Sequence, residues 1–184
     1  MKPLEDFALG FALLPIAYLW LVSWPLARTD LREHRLPNKL TLPGLALAVV
    51  AQSTASFLVG FSNQLGALLA AGLVFALSLA AHVWFNLGMG DVKLLTAITL
   101  SLAWFSPWSP LLAVFVALAA AVVAVAVGFI AGRTKLDSTL PLGPYLLAGF
   151  AVSCVVLIYS PGEVIESTSR ALSSWASVSL TSST

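Results

Sequence analysis

Gly88-Met89-Gly90-Asp91-Val92-Lys93 sets a carboxylate between apolar runs in a chain that is otherwise very poor in charge. A second acid, Asp30, stands upstream in Asp30-Leu31-Arg32-Glu33-His34-Arg35-Leu36-Pro37-Asn38, just after the first apolar run. The 184 residues are 59% hydrophobic and 9% charged, whereas soluble domains carry about 25% charged residues. So few charges cannot cover a globular surface in water. The composition predicts an all-α polytopic membrane protein, with membrane lipid as its main surroundings. In such a chain an ionisable group within or beside the bilayer is costly and marks a functional candidate.

A spanning helix needs roughly 20 apolar residues. Six segments fit: Phe7–Ala27, Leu40–Gly60, Leu65–Leu87, Val92–Trp108, Leu111–Gly132 and Leu140–Tyr159, the fourth being short. The first is longer than the apolar core of a signal peptide and is preceded by Glu5 and Asp6, which predicts a retained helix. Arg28, Arg32, Arg35, Lys39, Lys93, Arg133 and Lys135 all fall in the first, third and fifth connections. The positive-inside rule then puts those connections in the cytoplasm and both termini outside. Asp30 and Asp91, read as lying in the first and third connections, come to the same face. Trp20 and Trp24 are expected at the inner interface, and Trp104 and Trp108 at the outer one. Residues 1–160 read as the membrane domain. Residues 161–184 form a Ser/Thr-rich tail, either disordered or weakly amphipathic from Ser167 onward.

Two carboxylates held close cannot both ionise cheaply, so one keeps a proton and the pair titrates as a unit. The ionised member can take a proton from water while the other protonates a carbonyl oxygen. Gly88 and Gly90 would let a second backbone or a substrate strand come close. Cys154 is the single cysteine, so the chain has no Cys-x-x-Cys pair for a thiolate metal site or an intrachain disulfide. No metal and no cofactor are expected. The net charge of +1 argues neither for nor against nucleic acid, and no nucleic-acid partner is expected. His82, inside the third segment, is a proton-relay candidate or a hydrogen-bonding group between helices.

Taken together, these residues resemble the type IV prepilin peptidase family, the GxGD membrane aspartyl proteases, in its short single-domain form. Asp30 to Leu42 is similar to the segment with that family's first catalytic aspartate. Gly88 to Leu95 is similar to the segment with the second, and Leu140 to Gly149 to the late proline–glycine segment. The resemblance implies that Asp30 and Asp91 are the catalytic pair. Gly88, Gly90, Lys93, Pro37, Asn38, Pro141, Gly143 and Pro144 would support the motifs. It also implies a prepilin or pseudopilin substrate, cut at its leader peptide at the cytoplasmic face of the bacterial inner membrane. Longer members of the family carry paired cysteines and methylate the new N-terminus; with Cys154 alone, S-adenosylmethionine is not expected here. The sequence leaves the oligomeric state open. Two other readings stand beside the peptidase: a non-catalytic assembly factor of a pilus or secretion system, and a small proton-coupled transporter with the carboxylates as its ion site.

Overall fold

Apolar runs of this length bury no polar groups of their own once their backbones close into helices, and in lipid that closure is obligatory. The computed structural model describes residues 2–33, 36–59, 62–131 and 141–159. It contains six helices: α1 (Lys2–Glu33), α2 (Asn38–Val59), α3 (Ser62–Phe85), α4 (Met89–Ala103), α5 (Ser109–Ile130) and α6 (Gly143–Tyr159). α1, α2, α3 and α5 are long and apolar enough to cross a membrane, and α6 is a shorter apolar helix. α4 has 15 residues, about 22 Å at the helical rise, which is less than the thickness of a bilayer's hydrocarbon core. It is placed to tolerate that, because it lies against each of the other five helices. Its residues from Thr96 to Ala103 are all buried.

Two clusters hold α4 in place. One packs Leu19, Val22 and Leu26 of α1 and Phe150 of α6 around Leu94, Ile98 and Leu102. The other is built largely of alanines, with Ala12, Ala48, Ala55 and Ala67 against Leu100 and Trp104. Small residues let helix axes approach closely where lipid removes the usual hydrophobic drive for association. Gly149 gives the clearest case. A β-carbon there would stand 2.0 Å from the carbonyl oxygen of Ala113, so α6 meets α5 backbone to backbone. By contrast Leu111, Phe115, Leu118, Val122 and Ile130 of α5 are exposed, as a lipid-facing surface requires.

Three expectations need correction. Asp30 is not in a connection: α1 runs through to Glu33 and carries Asp30 in its last turns, and the residue is only 4% exposed. Asp91 likewise belongs to the first turn of α4. Trp104 does not face an interface. It is buried, and its indole Nε1–H donates to Ser56 Oγ at 3.2 Å, leaving Trp108 as the exposed ring of that pair. For His82 the described contact is local: its Nδ1 pairs with the carbonyl of Leu87 in the turn that follows α3. His34, Arg35, Arg133, Lys135 and the tail from Ser160 onward lie outside the described residues.

Candidate active site

Contacts between distant residues gather the site at one end of the bundle. The last turns of α1 meet the start of α6, where the Gly143 N–H donates to Asp30 Oδ2 at 2.9 Å. The start of α2 meets the start of α4, where Lys93 Nζ donates to Asn38 Oδ1 at 2.8 Å. Four helix ends therefore share one face. They are the ends adjoining the basic first, third and fifth connections, as the charge pattern predicts.

Local sequence explains each end. α3 stops at Asn86, which holds φ of 57°, a left-handed conformation that asparagine tolerates better than most residues. The chain then turns through Leu87 and Gly88 into α4. Gly88 is the N-cap, with φ −60° and ψ 131°, and its carbonyl accepts from Asp91 N–H at 3.0 Å and Val92 N–H at 3.2 Å. Any residue could adopt that backbone conformation, but a side chain at either glycine would displace a neighbour. A β-carbon on Gly88 would stand 2.7 Å from Asp91 Oδ2, and one on Gly90 would stand 2.6 Å from Leu36 Cβ. Gly90 thus meets the close approach of a second backbone segment, with Leu36 N and Cα at 3.2 and 3.3 Å from its β-carbon position, while Gly88 admits this chain's own Asp91 carboxylate. Pro37 opens α2: its carbonyl accepts from Leu40 N–H at 3.0 Å and Thr41 N–H at 3.3 Å. Pro141 and Leu142 lead into α6, whose first residue is Gly143. Pro144 at the second helical position lacks an N–H that the helix would not use there.

Asp91 stands one residue before the apolar stretch that begins at Val92, outside the spanning segments. Its carboxyl is pushed up from 3.8 to about 7, first by burial and then by the charge of Asp30. The Oδ1 atom is buried and has no hydrogen-bond partner among the described residues. The position near a helix N-terminus favours negative charge; burial and the neighbouring acid outweigh it. One acid thus raises another contributed by a different helix, as in a pair that shares one proton. Among the described residues no group of three or more His, Cys, Asp or Glu side chains is placed to hold a metal ion.

Of the sequence candidates, Asp30, Asp91, Gly88, Gly143, Asn38 and Lys93 are joined by these contacts, and Gly90 packs against Leu36. Pro37, Pro141 and Pro144 act on the backbone at helix starts. Sequence reasoning missed Leu36, which is buried over Gly90.

A family description, the type IV leader peptidase family, matches residues 15–160. Among curated proteins the chain is similar to the prepilin leader peptidase/N-methyltransferase of Burkholderia pseudomallei strains 1026b and K96243. Each is 34% identical over 135 residues, which cover 67% of this chain and 40% of the relative. The chain thus spans about two fifths of the length of the curated relatives it matches. No solved structure gives a significant match. With the match covering most of its helices and both motif aspartates, this multi-pass membrane chain belongs to the type IV leader peptidase family.

Proposed function

We propose that this chain is an aspartyl endopeptidase that removes the leader peptide of a prepilin or pseudopilin at the cytoplasmic face of the bacterial inner membrane. The observation that carries the reading is the coupling of two acids from different helices, with Asp91 raised to about 7 by burial and by Asp30. At neutral pH such a pair holds about one proton. The ionised carboxylate takes a proton from water, the water oxygen bonds to the scissile carbonyl carbon, and the carbonyl oxygen takes the proton of the other carboxyl. A neutral gem-diol results. As the C–N bond breaks, the leaving nitrogen takes the proton just gained from water. The carboxylate that gave up its proton recovers one from a gem-diol hydroxyl, so the pair returns to its starting state. Both carboxyls and one water suffice, with no cofactor. The prepilin substrate follows from the names of the relatives. The cytoplasmic placement follows from the basic residues at this end of the bundle.

The test is cleavage of a prepilin-type substrate by membranes holding the wild type, Asp30→Asn or Asp91→Asn, with the new N-terminus read by mass spectrometry. The expected result is a cut at the leader boundary that each variant loses by at least about 10³-fold while still inserting. Normal cleavage by either variant ends the reading.

A further inference from the structure

The two acids have different surroundings. Asp30 accepts a hydrogen bond from a backbone amide, Gly143 N–H to Oδ2 at 2.9 Å, at the first residue of the 17-residue α6. That amide is one of the donors a helix start leaves free, and the helix dipole there favours negative charge. An N–H donor stabilises a carboxylate over its neutral acid. Gly143 is itself buried, and its missing side chain is what allows the approach. A β-carbon would lie 2.7 Å from Asp30 Oδ2 and 3.1 Å from Asp30 Cγ. Asp91 has the opposite setting: Oδ1 is buried without a partner among the described residues, and a β-carbon on Gly88 would stand 2.7 Å from Oδ2.

We propose that Gly143 is a positioning residue whose amide holds Asp30 as the ionised member of the pair. Asp30 is then the base that takes the proton of water, and Asp91 is the acid that protonates the scissile carbonyl. This rests on the peptidase reading for its chemistry, but the place of the resting proton is a property of the free protein. Among the described residues, the other ionisable groups at this end are exposed or engaged elsewhere, with Tyr145 beside them. On α1, Arg28, Arg32 and Glu33 are exposed, as is Lys39 on α2. Lys93 on α4 is engaged by Asn38, and His82 on α3 by the Leu87 carbonyl. Tyr145 is the titratable side chain on the first turn of α6, and the described last turn of α5 carries none.

The test is infrared spectroscopy of the purified full chain in detergent, following the C=O stretch of a protonated carboxyl at about pH 6, below the value of about 7 for Asp91 and above that of ordinary exposed acids. The band is expected in the wild type and absent from Asp91→Asn. Adding Gly143→Ala to Asp91→Asn should restore it, because Asp30 then loses its amide and keeps its burial. In the otherwise wild-type chain, Gly143→Ala should lower kcat about 10- to 100-fold, the range for one hydrogen bond to a charged group, with KM unchanged. A band that persists in Asp91→Asn places the proton on Asp30 and overturns the proposal. A Gly143→Ala, Asp91→Asn chain that folds but shows no band overturns the role of the amide. Since none of these spectra needs a substrate, a failed cleavage assay refutes the peptidase without touching them.

Discussion

The first turn of α4 and its second half both bury polar groups against neighbouring helices, and they handle the cost differently. In the second half the groups are neutral. The Ser101 carbonyl accepts from Gln52 Nε2 at 3.2 Å, Ser101 Oγ donates back to the Ala97 carbonyl at 2.7 Å, and the Trp104 indole donates to Ser56. Gln52 Oε1 and Thr99 Oγ1 stay unpartnered among the described residues; a neutral orphan of that kind costs about 1–3 kcal/mol. In the first turn the orphan is Asp91 Oδ1, on a group that can carry charge. There the protein meets the cost by retaining a proton close to neutral pH. Neutral polar groups in the interior tie helices together. A titratable one at the polar end, beside a second acid, leaves a proton available for chemistry.

The comparison breaks most sharply at the acids themselves, where either asparagine variant should remove cleavage. Next comes Gly88→Ala. Its β-carbon would press on Asp91 Oδ2 at 2.7 Å, so cleavage should fall about 10- to 100-fold while the detergent melting temperature changes little. A fall in melting temperature that matched the loss of activity would make Gly88 a packing residue only. The smallest effect belongs to the interior seam. Gln52→Leu should keep cleavage within about threefold and change stability by about 1 kcal/mol, read by unfolding in denaturing detergent. Loss of cleavage in a well-folded Gln52→Leu would extend the working site into the seam.

Much of this organisation is legible in the chain. The six apolar runs correspond to the six helices, and the basic residues group the acids at one end. What escaped was where helices stop. Asp30 and Asp91 sit in polar helix ends, and a polar last turn has the same composition as a loop. Trp104 was misplaced because an aromatic near a predicted boundary suits an interface equally well, and only the tertiary partner Ser56 decides. The glycines were marked as places of close approach, and at Gly90 the Leu36 segment does approach; that Gly88 makes way for Asp91 was not legible. The Gly143 amide escaped altogether, since a search for reactive side chains does not count backbone donors. A transporter's ion site lies near mid-membrane, whereas both acids belong to helix ends.

The central claim is that Asp30 and Asp91 work as one coupled pair with Asp91 carrying a proton near neutral pH. The most direct measurement is the pH dependence of kcat/KM for leader cleavage by the purified chain, which reports the free protein. Asp91 holds its proton below about 7 and loses it above, and the reaction needs that proton on the acid. The rate should therefore fall about tenfold per pH unit above about 7. A rate that stays level from about pH 6 to about pH 9, well past the ordinary carboxylate range, would contradict the account.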